Sequence, residues 1–597
     1  MDTEDSAAAP KPRAPPVRST RPGFTPEPLP AVPSQAAMRG TAFDLVPPNR
    51  EALFQAISGA FDAGFYLDRN PDVRAAGVDP LPHYAVTGAF EGRDPNRWFD
   101  SRAYILANPD VDAMALNPLW HYLVQGRAQG RPPRHVHAAE RAAQQQARSL
   151  APDYPPSQPL ACLMPESLRS ALEARLTSAA GVTLAISHDR YTHSVGGVQI
   201  LVSDEQLAFN ARGQAYLHIA PRTPRLSLAP GNDMPGNDIS GDEAPFYLHA
   251  TLDGAYVGTT TYADLASVLA GLRPRLPNER RLVMHCLLGH KAGAMALLHQ
   301  AMRPQAAVFW VNDYESICPG YNLLRNDVEF CGAPPVGSFA CRVCVHGPHR
   351  AAHVQQFEAL FAAVPLHVVA PSAAALAVWQ SGAHLPHLSA AVHEYAAVTP
   401  LPAPDPPAGP EAGAGPGPSP IAPARAAPVR VAFAGFAMAH KGWPTFAALA
   451  ARLQGSAEHR LFHFAAARAE PPLPGVETVL ARVAPGARGA MTESLLAYGI
   501  QLVLLLSPWP ETFCLVAYEA LAAGADLIVL RDGGNLPDLV LRTGRGVVAA
   551  DAEAVLDFFL HGGAARYAAL AAAGRSSRGR LASRGLTATL PLPGVPA

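Results

Sequence analysis

The chain reads as an α/β protein with two doubly wound, Rossmann-like lobes facing a cleft, preceded by a small all-α repeat module. Three observations predict this: apolar strands alternating with amphipathic helices from Gly181 onward, a second block of the same pattern opening at Val429, and a 38-residue internal repeat between Phe61 and Arg131. At 597 residues the chain is too long for one core, and its 49% hydrophobic content can build several.

Residues 1–55 are rich in Pro and Ala and lack apolar periodicity. They bury too little surface to offset the entropy of ordering and are expected to be disordered. Residues 1–30 have no apolar core of the length a secretory signal needs, which predicts a cytoplasmic protein.

Residues 56–135 predict two helical repeats. Phe61-Asp62, Tyr66, Asn70-Pro71-Asp72-Val73, Pro80-Leu81, His83-Tyr84, Gly88 and Gly92-Arg93 return as Phe99-Asp100, Tyr104, Asn108-Pro109-Asp110-Val111, Pro118-Leu119, His121-Tyr122, Gly126 and Gly130-Arg131. Pro and Gly punctuate short helices, and the Asp after each Asn-Pro is expected to cap one. His83 and His121 read as packing residues rather than metal ligands, because a repeat regenerates the same core contact. The module's partner is unknown from the sequence.

A Gln/Arg/Ala stretch and a Pro-rich passage make 136–178 a linker. The first lobe, 179–398, is expected to hold strands at 182–186, 215–219, 281–285, 306–311 and 367–369. Residues 399–428, dense in Pro, Gly and Ala, form an interdomain linker. The second lobe, 429–565, places strands at 429–434, 460–465, 502–506 and 527–530, and 566–597 is a tail. Two such lobes hold ligands between the carboxyl ends of their strands.

A formal net charge of -2 gives no global pull toward nucleic acid. No apolar run reaches the about 18 residues of a membrane-spanning helix.

The strongest chemical signal runs through Pro510-Glu511-Thr512-Phe513 to Tyr518-Glu519 and Gly524. It follows a buried strand and opens a helix expected to begin at Thr512, whose N–H groups around Thr512 and Phe513 can hold a diphosphate. Glu511 sits at the mouth of the cleft, and Glu519, two turns on, shares its face; both can accept hydrogen bonds from hydroxyls. Gly435 and the run His440-Lys441-Gly442-Trp443 follow the first strand of the same lobe. Gly435 permits close phosphate approach and Lys441 can neutralise a departing diphosphate. Only three of the 47 basic residues are lysines, which sets Lys441 apart.

In the first lobe, Gly196 and Gly197 either form a plain turn or bring backbone close to a ligand. Asp204 and Glu205 beyond them read equally as surface charges. Four of the seven cysteines lie between Cys318 and Cys344. Without export a disulfide framework is not expected, so the cluster points to metal or packing. Cys341-x-x-Cys344 has the bite of a zinc knuckle, and Cys318 and Cys331 would complete a four-thiolate structural site. Four reduced thiols, or a site using His346 instead of one cysteine, are the other readings.

The segment from Pro510-Glu511-Thr512-Phe513 through Glu519 to Gly533-Gly534 closely resembles the E-x7-E region of retaining GT-B glycosyltransferases of family four. The Gly435 to Lys441-Gly442 loop resembles that family's donor loop. The resemblance covers roughly 181–560 and implies transfer of a hexosyl unit from a nucleotide-diphosphate sugar, with retention, to a saccharide or lipid-linked acceptor, as in bacterial surface polysaccharide synthesis. It implies that Glu511 contacts the donor hexose and Glu519 the ribose, that Gly196-Gly197 faces donor and acceptor, and that no catalytic metal is needed. A lipid-linked acceptor would bring the chain to the inner membrane as a peripheral protein.

Where the family reads His-Asp-Tyr beside the reacting sugar, this chain has Asn312-Asp313-Tyr314, which places Asn312 and Asp313 at catalytic positions. Asparagine keeps a donor but cannot change its charge. His188, His285 and His290 are the nearby candidates to compensate. The family's early loop Arg is replaced by Phe436 and Ala437. The repeats resemble those found beside bacterial glycosyltransferase domains. The two departures leave a second expectation, a catalytically weak carbohydrate-binding scaffold of the same fold.

Overall fold

A computed structural model describes residues 45, 48–133, 162–194, 196–222, 247–326, 329–401, 427–469, 471–481, 488–572, 578–584 and 586–591. The disorder expected over 1–44, the linker residues 134–161 and 402–426, and the tail residues 592–597 lie outside that set.

The repeat module opens with the helix Arg50–Ser58, which begins within the stretch 1–55 expected to be disordered; Asn49 caps it through Ala52 N (2.8 Å). The same polar contacts then recur 38 residues apart. Tyr66 Oη meets His83 Nδ1 at 2.9 Å, and Tyr104 Oη meets His121 Nδ1 at 2.8 Å. Asn70 and Asn108 donate to the Tyr66 and Tyr104 carbonyls, both at 2.7 Å. Burial pushes His121 down to about 4, so it packs as a neutral ring. The caps are Asp62 and Asp100, which accept from Phe65 N and Ala103 N. Asp72 and Asp110, expected as caps, instead lie in the first helical turn and pair with Arg93 and Arg131.

In the first lobe, the helix Pro165–Ser178 occupies the end of the expected linker. Pro165 at its first position suits a helix start, and Leu168, Leu172 and Leu176, four apart, are fully buried in the lobe's core. The strands follow as β1 (Val182–Ile186), β2 (Ala215–Pro221), β3 (Tyr247–Leu252), β4 (Ala255–Thr261), β5 (Arg280–Met284) and β6 (Ala306–Trp310). After a two-residue hairpin, β7 (Leu324–Arg325) and β8 (Glu329–Phe330), come β9 (Leu366–Ala370) and β10 (Ser389–Val392). The sheet order is β10-β9-β6-β5-β1-β2-β3-β4, parallel except for the antiparallel β3–β4 edge.

After β11 (Ala396–Pro400), the second lobe comprises β12 (Val429–Ala434), β13 (His459–Ala465), β14 (Val476–Leu480), β15 (Leu502–Leu505), β16 (Asp526–Leu530) and β17 (Gly546–Ala549). Its order, β14-β13-β12-β15-β16-β17, is wholly parallel. The direction of winding reverses between β12 and β15, which opens a crevice at their carboxyl ends.

The expected tail is built into the fold. β18 (Gly579–Ser583) pairs antiparallel with β11, and the turn of helix Leu586–Thr589 returns to the first lobe. There Trp310 Nε1 donates to Thr587 Oγ1 (2.8 Å), and Thr587 N donates to Glu205 Oε2 (3.2 Å). One hydrophobic cluster crosses the lobes, joining Val283, Val308 and Trp310 to Phe464, Phe513 and Leu527. Among the described residues no helix is long and apolar enough to cross a membrane.

Candidate functional site

Lys441 follows β12 and Glu511 follows β15, so the two side chains come from either flank of the winding reversal. Lys441 Nζ donates to Glu511 Oε1 at 2.7 Å, and Ser507 Oγ donates to the same oxygen at 2.6 Å. Among the described residues neither bond uses Oε2. The indole of Trp509 lies beside the ammonium, 5.3 Å from ring centroid to Nζ. Burial opposes the Lys441 charge, but the Glu511 carboxylate holds its pKa above the usual lysine value.

Two glycines make this geometry fit. Gly442, at φ +84°, ends the Lys441 turn where a Cβ would overlap the Leu506 carbonyl. Gly534, at φ +65°, lies against the Pro510–Glu511 peptide with no room for a side chain. Gly435 and Gly197 have nothing within 4 Å of a Cβ position, so both leave space open, whereas at Gly196 it would meet Gln199 Oε1.

The helix expected to begin at Thr512 begins at Leu515. Cys514 adopts a left-handed conformation (φ 66°), which breaks the helical path before it. The first turn is therefore displaced by three residues, and Glu511 belongs to the preceding loop rather than to the helix that carries Glu519. The N–H groups of Thr512 and Phe513 therefore precede the helix instead of opening it, and the other groups of this loop are engaged across the lobes. Thr512 Oγ1 donates to Asn312 O (2.8 Å), Ser372 Oγ donates to Thr512 O (2.7 Å), and Tyr314 Oη donates to Pro510 O (3.0 Å). The Phe513 ring stacks on Tyr518 at 4.3 Å and meets Tyr395 edge-on at 4.8 Å. Both residues are interlobe contacts that hold the Glu511 loop against the first lobe.

Asn312, at the carboxyl end of β6, is engaged at both ends of its amide. Nδ2 donates to His285 O (2.9 Å), and Oδ1 accepts from the Tyr395 hydroxyl. The structure thus makes it a tie between β5, β11 and the second lobe. Asp313 accepts from the Cys286 thiol (3.1 Å) and from Glu315 N (2.9 Å). Burial, then mutual repulsion, holds the Glu315 carboxyl well above the usual range, and burial raises Asp313 too. The three candidate histidines are each committed. His188 accepts from Gln199 Nε2 (2.9 Å), His290 donates to Ser187 O (2.9 Å), and His285 pairs with Glu205 (3.0 Å). Burial pushes His188 and His290 down to about 4.

Glu205, for which a surface charge is one of the two readings of the sequence, is fully buried; burial alone would raise its pKa, but His285, Thr587 and Tyr216 hold it below the usual value. Asp204 forms an interlobe ion pair with Arg488.

Glu519 is 3% exposed, and its carboxyl makes no hydrogen bond among the described residues. Burial pushes its pKa up to about 7, opposed by Arg488. Folding therefore retains a proton that the unfolded chain releases from about pH 4.5, and stability falls as pH rises from there to about 7. Glu519→Gln removes this loss. Its melting temperature relative to wild type should rise between pH 5 and pH 8, and an unchanged difference would show that the carboxyl is not desolvated.

The cysteines do not assemble as expected. Among the described residues, the group of three or more potential ligands whose donor atoms lie within 4.8 Å of one another is Cys286, Asp313 and Glu315, not Cys318, Cys331, Cys341 and Cys344. Cys341 Sγ instead accepts from Arg350 Nη1 at 3.0 Å. Burial pushes Cys331 up to about 11 and raises Cys318 as well, and the neighbouring thiol of Cys344 adds to both shifts. As placed, the sulfurs of these four cysteines do not all lie within 4.8 Å of one another.

The fold and site together define a two-lobed nucleotide-fold protein with a cation–carboxylate pair at the winding reversal of its second lobe. No protein-family model matches the chain, and no curated protein matches it. Among solved structures it is similar to Anabaena HepE in complex with UDP-glucose, at 11% identity and TM-score 0.38, covering 66% of this chain and 93% of that one. It is also similar to an α,α-trehalose-phosphate synthase (UDP-forming) from Burkholderia xenovorans, at 10% identity and TM-score 0.33, covering 64% and 91%. Thermobaculum terrenum O-GlcNAc transferase is similar over 88% of this chain and 94% of its own, at 15% identity and TM-score 0.31.

Proposed function

We propose that the chain is a glycosyltransferase moving a hexosyl unit from a nucleotide-diphosphate sugar to a saccharide acceptor with retention of configuration. The observation that carries this reading is the 2.7 Å Lys441–Glu511 pair between β12 and β15, with Ser507 fixing the same carboxylate oxygen. In this reading Glu511 Oε2 accepts from a hexose hydroxyl, while Lys441 exchanges part of its contact with Glu511 for the departing diphosphate. Gly435 and Gly197, each with nothing within 4 Å of a Cβ position, are the glycines assigned to the donor. Glu519, nearer Arg488, takes the ribose. Asn312 acts as a positioning residue, because its amide is already spent on scaffold contacts, and Lys441 supplies the positive charge that the leaving group requires.

That engagement of Asn312 also favours a second reading, a carbohydrate-binding scaffold with weak turnover. One experiment separates them: incubation with UDP-, GDP- and dTDP-hexoses and an acceptor glycan, following donor loss and the anomeric proton signal of the first product. Consumption of one donor with its anomeric configuration kept is expected. Inversion contradicts the retaining reading, and glycan binding without consumption of any donor selects the scaffold.

A further inference from the structure

We propose that residues 339–345 of the first lobe are the closing unit of the repeat array, standing where a third repeat would stand, and that the repeat module braces this cysteine-bearing segment shut. In a repeat array each unit buries its open face on the next, and the last unit needs a cap. Here the handover is visible in one hydrogen bond. Tyr84 of the first repeat bonds through its hydroxyl to Ser101 Oγ of the second, at 3.1 Å. Its counterpart 38 residues on, Tyr122, donates instead to Val343 O of the first lobe, at 2.8 Å. Ala340 and Val343 belong to the module's own hydrophobic cluster, with Val343 fully buried, and the Arg127 guanidinium bonds the Arg342 carbonyl.

A second contact closes the same junction. Arg325 of β7, 1% exposed, lies 4.6 Å over the Trp98 ring and donates to Trp98 O at 3.1 Å. The adjacent Asn326 donates to Val343 O (3.0 Å) and accepts from Val345 N (2.9 Å), so one carbonyl receives both a module tyrosine and a lobe asparagine. On its other side the segment is held by Arg350, through Cys341 Sγ, Pro334 O (2.7 Å) and Ile317 O (2.9 Å). Residues 331–346 otherwise hold only the one-turn helix Phe339–Arg342. A segment with so little regular structure opens easily unless something outside it supplies contacts. The module supplies them, and the segment in turn ends the array.

The test is the rate at which iodoacetamide alkylates each cysteine in the full-length protein, read by peptide mass spectrometry. Cys341 and Cys344 are buried in the segment, whereas Cys286 and Cys514 lie in the lobes. Trp98→Ala is expected to raise alkylation of Cys341 and Cys344 by about tenfold or more. Tyr122→Phe, which keeps the ring and removes one hydrogen bond, should raise it by about fivefold. Cys286 and Cys514 should be unchanged in both variants. Unchanged rates at Cys341 and Cys344 in Tyr122→Phe overturn the proposal, and so does an equal rise at all four cysteines, which would mean general unfolding rather than loss of a brace.

Discussion

Replacing Glu511 by glutamine is expected to lower kcat/KM for the sugar donor by about 100-fold or more while the protein keeps its fold. A hydrogen bond to a charged partner contributes roughly 1.5–3 kcal/mol, and each 1.4 kcal/mol is a factor of ten in rate. The carboxylate holds Lys441 and Ser507 on Oε1, and in the proposed function Oε2 meets the substrate, so the amide loses the charge on both counts. Glutamine preserves the volume, and the loop stays fixed by Tyr314, Thr512 and Ser372, none of which bonds the Glu511 side chain. The check is steady-state kinetics with the identified donor beside a circular dichroism spectrum; kcat/KM within threefold of wild type would remove Glu511 from the reaction.

Lys441→Met should have the next largest effect, about a 10- to 100-fold loss of affinity for the nucleoside diphosphate. In the proposed function this charge faces a phosphate, and its removal costs most where water is scarce; the Lys441 side chain is 32% exposed. The variant also leaves Glu511 without its cation, so the two residues should act as a unit. The double variant Lys441→Met/Glu511→Gln should bind nucleotide no worse than Lys441→Met alone, by double-mutant cycle. Fully additive losses would mean that the two side chains serve different steps.

Much of this site was legible because its parts are local. The apolar runs of β12 and β15 and the turn glycine Gly442 each lie within a dozen residues of Lys441 or Glu511, and the scarcity of lysine is read from the composition of the whole chain. What was not legible depends on distant partners. The sequence puts the start of the Glu519 helix three residues early because Cys514 takes a left-handed conformation that its residue type rarely adopts, packed against the cluster that crosses the lobes. Thr512 and Phe513 read as the first turn of the Glu519 helix, and only the approach of Asn312, Ser372 and Tyr395 shows that their side chains and the Thr512 carbonyl are tied to the first lobe. Ser507 is signalled in the sequence only as a hydroxyl four residues before Glu511 in the same loop, and the structure gives it its role.

The fold shows the same division. β14 and β17 are half-buried edge strands without strong apolar runs, and the β3–β4 hairpin carries many threonines. β18 exists only because β11, almost 200 residues earlier, offers it an edge. The helix Pro165–Ser178 was signalled by Leu168, Leu172 and Leu176 but masked by the Pro-rich composition before it. Glu205 looked like a surface charge because nothing nearby in sequence announces His285, Tyr216 and Thr587.

The most direct test is a paired thermal titration of wild type and Lys441→Met with UDP, GDP and dTDP and their hexose conjugates. A ligand that binds only the folded state raises the melting temperature according to its affinity. At least one nucleotide should raise it for the wild type, with the concentration needed shifted about 10- to 100-fold higher in the variant. A rise of the same size at the same concentration in both proteins, or none with any nucleotide in the wild type, would contradict a donor site built on Lys441 and Glu511.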